Sequence, residues 1–138
     1  MTLFVLDNSV TMRWFFDSGT HAYADAILAD LQSLTNEAVV PILWRYETSA
    51  VLAREQSRGT IPAQEIVLFM GDLDALPITV DDESSRRVFP DAHQLAVTYR
   101  LTTYDASYLE LALRRAVPLA TLDNDLIAAC RQAGVPVL

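Results

Sequence analysis

Short, largely apolar runs alternate with longer helical patterns along almost the whole chain. The runs are residues 3–6, 39–40, 78–80, 119–121 and 135–138, and continuous apolar runs are typical of strands covered on both faces. Apolar residues at helical spacing mark residues 10–16, 22–34, 43–58, 63–73, 91–99, 104–115 and 125–133. We therefore predict an α/β fold, a three-layer sandwich in which helices flank a short central parallel sheet with right-handed crossovers.

The composition is that of one compact domain, which we expect to span residues 1–138. Of the 138 residues, 51% are hydrophobic and 20% are charged, which argues against a disordered chain. No apolar run approaches the roughly 20 residues that a membrane-spanning helix needs, so no membrane association is expected. Cys130 is the only cysteine, which rules out an intramolecular disulfide and fits a reducing cytoplasm.

The charge of the chain limits how it could bind nucleic acid. The formal net charge is -8 and the isoelectric point is near 4.5, so the surface as a whole repels phosphate backbones. All ten basic residues are arginine, and the absence of lysine excludes any mechanism that requires one. A function on nucleic acid would therefore need a local device, such as a bound cation.

Two acids lie at the ends of predicted strands. Asp7 follows residues 3–6, and Asp123 follows residues 119–121. Ligands of parallel α/β sheets bind at the carboxyl ends of the strands, so both acids lie where a site is expected. The alternative is helix capping, because aspartate is common at helix starts. Asp125 begins the last predicted helix and is either an outer ligand or only a first-turn acid.

Glu47 lies within the predicted helix over residues 43–58. It shares a face with Trp44 and Val51, which lie one turn away on either side. A carboxylate on an apolar face is costly unless it is paired or binds a metal. A salt bridge to Arg54 is the alternative interpretation.

Asp105 lies near the start of another predicted helix. Thr102 precedes it at capping-box spacing, which favours a structural role, yet Leu109 shares its face at helical spacing. Glu110 lies off that face and is predicted to be solvated. The acids at residues 81–83 are interpreted as an ordinary loop charge run.

Four of these carboxylates would form a cation site if they converged at one sheet edge: Asp7, Glu47, Asp105 and Asp123. They could not all remain ionised without compensation. Oxygen ligands alone select Mg²⁺ or Mn²⁺, and His21 and His93 lack partners at zinc-ligand spacing. Such a metal can activate water for attack on a phosphodiester.

At these residues the chain resembles the PIN-domain ribonucleases, most closely the VapC-like toxins of prokaryotic toxin–antitoxin pairs. The resemblance runs over nearly the whole chain and is carried by FVLDNSVTMRWFF, PILWRYETSAVL and LAVTYRLTTYDASYLELALRRAVPLATLDNDL. The last segment is the most specific, because it contains both a helix start with its acid and a strand end with its acid. The resemblance implies a PIN-like fold.

The resemblance also implies an acidic tetrad around Mg²⁺ or Mn²⁺, formed by Asp7, Glu47, Asp105 and Asp123. Asp7 and Asp105 would be the direct ligands. Ser9 and Thr121 match small hydroxyl positions that organise the site, and Asn8 stands where the family often has a small residue. Members of the family cleave RNA, form homodimers and are neutralised by a cognate antitoxin that docks over the site.

Other functions are weighed against this one. DNSVT resembles the D-x-D-x-T motif of haloacid-dehalogenase-type phosphatases, but those enzymes and receiver domains rely on a lysine, which this chain lacks. A binding module with little nuclease activity, or a PIN nuclease of RNA maturation or DNA structures, would have the same fold. Five arginines are either contacts for RNA or antitoxin or plain surface charges: Arg13, Arg86, Arg87, Arg114 and Arg115.

Overall fold

A four-stranded parallel sheet forms the centre of the protein. The computed structural model describes residues 2–138, and its strands are β1 (Thr2–Leu6), β2 (Asn36–Val40), β3 (Ile78–Val80) and β4 (Leu119–Ala120). Their order is β3-β2-β1-β4, and every neighbouring pair is parallel. The predicted α/β fold with a central parallel sheet is therefore confirmed.

Helices cover both faces of this sheet. The last three residues of β1 and of β2 are all buried, although successive side chains of a strand point to opposite faces. The helices of residues 2–138 are α1 (Asn8–Phe16), α2 (Ala22–Gln32), α3 (Leu43–Ser57), α4 (Ala63–Ala75), α5 (His93–Tyr99), α6 (Thr103–Arg115) and α7 (Asn124–Ala133). None of these helices is long and apolar enough to cross a membrane.

Some helix boundaries differ from those that the apolar pattern predicts. Helices α1, α6 and α7 begin one or two residues earlier than predicted, because polar first-turn residues carry no periodic signal. Helix α5 begins later than predicted, because an irregular turn over Val88–Ala92 precedes it and the backbone of Phe89 in that turn is extended.

The fifth predicted strand, residues 135–138, is wrong. The structure shows only an isolated parallel bridge between Leu119 and Val137. The Leu119 N–H donates to Pro136 O at 2.9 Å, and the Leu138 N–H donates to Leu119 O at 3.1 Å. Proline has no N–H to donate, so Pro136 interrupts the ladder that a full strand would need.

The strand order places a change of direction between β1 and β4. From β1 the chain adds β2 and then β3 on one side, and it later returns to place β4 on the other side of β1. Crevices for ligands form at the carboxyl ends of strands where a parallel sheet reverses its order in this way. Asp7 follows β1 and Thr121 follows β4, so both lie at that crevice.

Candidate active site

Asp7 lies at the carboxyl end of β1. Its backbone N–H donates to Ala120 O at 3.0 Å, which extends the pairing of β1 with β4 by one residue. Asp7 occupies the N-cap position of α1, but its side chain makes no capping hydrogen bond. Because Asp7 is only 5% exposed and does not cap, the helix-cap alternative does not account for its carboxylate.

Two hydroxyl groups hold the Asp7 carboxylate. Ser9 Oγ and Thr121 Oγ1 donate to Asp7 Oδ2 at 2.6 and 2.7 Å. The same hydroxyl oxygens accept the backbone N–H groups of Leu122 and Asp123, at 3.0 and 3.1 Å. Each hydroxyl thus donates its one proton to Asp7. Because its oxygen also accepts a backbone N–H, it fixes the path of the chain after β4 as well.

The electrostatic surroundings of Asp7 favour its protonated form. Burial raises the pKa of Asp7, the hydrogen bonds from Ser9 and Thr121 oppose this shift, and the charge of Asp123 adds to it. A positive charge nearby would reverse this balance, because it would stabilise the ionised carboxylate.

Glu47 approaches Asp7 from α3 and is half-buried. Its Oε1 accepts a hydrogen bond of 2.5 Å from the hydroxyl of Tyr108 on α6. Burial raises the pKa of Glu47, the bond from Tyr108 opposes the shift, and the charge of Asp7 adds to it. The predicted alternative, a salt bridge to Arg54, does not form among the ion pairs of residues 2–138.

Tyr108 is a residue that sequence reasoning missed. It is completely buried, and burial, followed by the charges of Glu47 and Asp7, raises the pKa of its phenol. The phenol therefore stays protonated and donates to Glu47. Its spacing contained the signal, because Tyr108 lies three residues after Asp105 and shares its helix face.

Two hydrogen bonds join α3 to the first turn of α1. Asn8 Nδ2 donates to Thr48 Oγ1 at 2.8 Å, and the indole N–H of Trp44 donates to Thr11 Oγ1 at 2.9 Å. The Asn8 amide thus bonds a hydroxyl, not a carboxylate. These bonds fix the helix that bears Glu47 against the helix that follows Asp7.

Asp105 lies in the first turn of α6 and is half-buried. Its backbone N–H donates to Thr102 Oγ1 at 3.1 Å, which is one of the two hydrogen bonds of the predicted capping box. The reciprocal bond, from the Thr102 backbone N–H to the Asp105 carboxylate, is not formed. Burial raises the pKa of Asp105 to about 6, with contributions from the charges of Asp123, Asp7, Glu47 and Asp125. The other four carboxylates therefore all lie close enough to Asp105 to raise its pKa.

Asp123 both caps a helix and belongs to this group. Its Oδ1 accepts the Leu126 N–H at 3.0 Å, and this bond caps α7. Its charge nevertheless acts on both Asp7 and Asp105. Asp125 is exposed, and its charge has the smallest of the four charge effects on Asp105.

No basic side chain within the described part of the chain forms an ion pair with any of these five carboxylates. The nine ion pairs within residues 2–138 all involve other acids. Buried or half-buried carboxylates that repel one another are costly without compensation. The acid cluster, as we call Asp7, Glu47, Asp105, Asp123 and Asp125, therefore lacks a counter-charge of its own.

A second group of acids, beside the end of β3, is neutralised by arginine. Arg114 donates to Asp81 at 2.8 Å and to Glu110 at 2.7 Å, and Arg115 pairs with Asp81 at 3.4 Å. Burial would raise the pKa of Asp81, but hydrogen bonds from Arg114 and Ser84 lower it to about 2. The interpretation of residues 81–83 as an ordinary charge run therefore misses the part that Asp81 plays in this network.

The predicted solvated position of Glu110 is wrong. Glu110 is only 5% exposed, and Arg114, one turn further along α6, compensates its charge by pairing with it. Of the other candidate arginines, Arg13 pairs with Asp17 and Arg87 pairs with Glu83 and Asp91. Within residues 2–138, four of the five candidate arginines thus form ion pairs with the protein's own acids.

The chemistry of the acid cluster fits a divalent cation. Its donors are carboxylate oxygens, the hard ligands that Mg²⁺ and Mn²⁺ prefer. No group of three or more His, Cys, Asp or Glu side chains in residues 2–138 could hold a metal ion as it stands. Mg²⁺ often takes only one or two protein carboxylates and keeps several waters. The cluster therefore fits an ion with few protein ligands better than a closed cage.

The fold and this cluster define an α/β protein with uncompensated carboxylates at the carboxyl edge of its sheet. Residues 4–132 match the PIN domain family, and the chain belongs to that family, whose members are generally nucleases. The crystal structure of PAE2754 from Pyrobaculum aerophilum is similar, with a TM-score of 0.63 and 20% identity over 99% of this chain and 89% of that chain. At that identity the likeness shows the fold alone. A search of curated proteins found no significant match.

Proposed function

We propose that this protein is a Mg²⁺- or Mn²⁺-dependent endoribonuclease that acts as the toxin of a toxin–antitoxin pair. The observation that carries the nuclease assignment is the acid cluster without a basic partner in the described chain. A cation bound there would neutralise the carboxylates and attract the phosphates that a net charge of -8 repels. Membership of a family of nucleases supports the same assignment.

Three members of the cluster have assigned parts in this proposal. When bound, the metal supplies positive charge and lowers the pKa of water in contact with it. Asp7, fixed by its two hydroxyl donors, and Asp105 would hold the metal. Glu47, restrained by Tyr108 and with a raised pKa, would accept the proton of the attacking water. Because water attacks phosphorus and the 2′-hydroxyl does not, the products carry 5′-phosphate and 3′-hydroxyl ends.

The toxin role, the partners and the RNA substrate rest on the resemblance of nearly the whole chain to VapC-like toxins, of which residues 95–126 are the most specific segment. The proposal includes a homodimer in the cytoplasm and a cognate antitoxin that covers the site. Expression of the protein alone should stop bacterial growth, and co-expression of a small protein encoded beside it should restore growth. Growth that never stops would instead favour a PIN nuclease of RNA processing.

A binding module on the same fold is the second candidate. The observation that favours it is the absence, in residues 2–138, of three metal-binding side chains already arranged around one point. A binding module would bind RNA or protein without metal-dependent cleavage, so the cleavage assay separates the two functions.

The test of the nuclease is cleavage of total RNA by purified protein, with Mg²⁺, with Mn²⁺ and with a chelator, followed by mapping of the new ends. We expect metal-dependent cuts with 5′-phosphate ends. Asp105→Asn should abolish cleavage and leave the fold intact, since the cap of α6 uses the backbone N–H of Asp105. Asp72→Asn, at an exposed acid of α4, is the matched control. Products with 2′,3′-cyclic phosphate would contradict the mechanism.

A further inference from the structure

The tyrosines of this chain have an uneven distribution around the acid cluster. Of the five tyrosines, Tyr108 is buried and two others are half-buried. Only Tyr46 and Tyr104 are exposed, by 70% and 62%. Each directly precedes a member of the cluster, since Glu47 follows Tyr46 and Asp105 follows Tyr104.

This sequence adjacency places two aromatic rings at the rim of the cluster. Consecutive Cα atoms are about 3.8 Å apart, and neighbouring residues of a helix point about 100° apart around its axis. Glu47 turns inward to the hydroxyl of the buried Tyr108 on α6 and Asp105 is half-buried, whereas Tyr46 and Tyr104 face solvent. Tyr46 lies on α3 and Tyr104 on α6, so the rings approach the cluster from two different helices.

A cavity adjoins the ring of Tyr46. It has a volume of about 420 Å³, and Thr48, Met70 and Leu73 are among the residues that line it with Tyr46. Thr48 also accepts the hydrogen bond from Asn8, the residue after Asp7. The cavity is therefore lined by Tyr46 and Thr48, the residues on either side of Glu47 in the sequence, and its volume falls within the usual range for small-molecule sites of roughly 300–1,000 Å³.

Because of its overall charge, the protein needs contacts to a nucleic-acid substrate that do not depend on attraction of the phosphates. With a net charge of -8, and with most candidate arginines paired to the protein's own acids, general attraction of phosphates supplies little affinity. Base stacking on an aromatic ring is independent of charge and is worth about 1–3 kcal/mol per base. Bases can stack in this way only where the strand is unpaired.

We infer that Tyr46 and Tyr104 are substrate-positioning residues that stack unpaired bases on either side of the phosphate at the acid cluster. The inference rests on the proposed ribonuclease function. Phe89 is an internal comparison, because it is 85% exposed but lies in the turn before α5 and borders a different cavity, with Arg86 and Arg87.

The test is steady-state kinetics on a short labelled RNA that spans a mapped cleavage site, in the presence of Mn²⁺. Tyr46→Ala and Tyr104→Ala should each raise KM about tenfold with little change in kcat, because stacking binds substrate and transition state alike. Tyr46→Phe and Tyr104→Phe should retain wild-type KM, since the ring remains. Phe89→Ala should also match the wild type, and annealing the RNA to its complement should protect it.

The salt dependence separates stacking from charge. The slope of log KM against log salt concentration should be the same in the wild type and in both alanine variants, because no phosphate contact is removed. Wild-type KM in both alanine variants, or a tenfold loss in the phenylalanine variants, would overturn the stacking role while cleavage by the wild type kept the ribonuclease assignment. If the wild type cleaves no RNA with any metal, the function and the stacking role both fail.

Discussion

Asp105 shows how one residue can satisfy a structural rule and still belong to a site. Its position three residues after Thr102 predicts a capping box, and the backbone half of that motif is present. The carboxylate instead points to a group of like charges that, with burial as the largest cause, raises its pKa to about 6. A cap alone would not place the side chain among four other acids.

The pH dependence of stability should report this repulsion. An acid whose pKa is raised in the folded protein destabilises it once ionised, so the penalty is absent below the unfolded pKa near 4, grows as pH rises through about 6, and is complete above that value. Asp7 and Glu47 have pKa shifts in the same direction. In chelator, the Tm of the wild type should therefore fall from about pH 5 to about pH 8.

The Tm of the Asp105→Asn variant should fall less steeply over the same pH range, because one of the carboxyl groups with a raised pKa has been removed. Thermal unfolding monitored by circular dichroism measures both proteins. A wild-type Tm that rises steadily over this range would mean that the carboxylates are stabilised by partners, not by protonation.

At the scale of the element, the start of α7 separates two neighbouring acids. Asp123 caps the helix and acts on Asp7 and Asp105, whereas Asp125 is exposed. Asn is as good an N-cap as Asp, so Asp123→Asn keeps the cap and removes only the charge. We expect it to reduce cleavage far more than Asp125→Asn does, without a loss of Tm in either variant. Equal losses of kcat would mean that both acids serve the metal.

Glu47 on α3 and Glu110 on α6 lie in opposite electrostatic settings. Glu47 faces other acids, and Glu110 pairs with Arg114. In chelator, Glu47→Gln should raise Tm because it removes a repelling charge while the amide oxygen still accepts from Tyr108. Glu110→Gln should cost about 1–3 kcal/mol of the free energy of unfolding, because it weakens a charge-assisted bond. Denaturant unfolding measures both, and a loss of stability in Glu47→Gln would identify a structural role.

At the scale of the molecule, the two groups of acids explain an apparent contradiction in the charge. A protein with a net charge of -8 uses its arginines on one group and leaves the other without a partner in residues 2–138. The first group is stable in the protein alone. Under the proposed function, a cation from solution would stabilise the second group and would also attract phosphate.

Addition of Mn²⁺ should therefore stabilise the whole molecule. At a concentration a hundred times the Kd, binding to the folded state alone contributes about 2.7 kcal/mol, or several degrees of Tm in a protein of this size. Asp7→Asn should abolish most of the shift, whereas Asp72→Asn should retain it. Differential scanning fluorimetry measures both, and a wild-type Tm that does not respond to Mn²⁺ or Mg²⁺ would favour the binding module.

The elements were predictable wherever a pattern of apolar residues determined them. The four strands of the sheet and the positions of the helices in residues 2–138 follow from runs and periods that reflect burial. Residues 135–138 show the limit of this rule. Their apolar composition matches that of the strands, but they form only a bridge, because Pro136 has no N–H to donate to a ladder.

The candidate site was predictable only in part. The positions of Asp7 and Asp123 after strands, and of Glu47 on an apolar face, mark them as unusual acids from the sequence. The partner of Glu47 was not predictable in the same way, because Tyr108 lies 61 residues away along the chain. The burial of Glu110 was not predicted for a related reason. Its partner Arg114 also pairs with Asp81, and these two residues meet only when α6 packs beside the end of β3.

The sequence by itself determined the fold class, the order of the elements and which acids lie at strand ends or helix starts, because these depend on local pattern and burial. Only the tertiary structure decided which carboxylates face one another and which receive an arginine. Charge pairing depends on distances between residues far apart in the chain, and no local pattern encodes them. That packing gives Asp81 a low pKa beside Arg114 and leaves Asp105 with a high one among other acids.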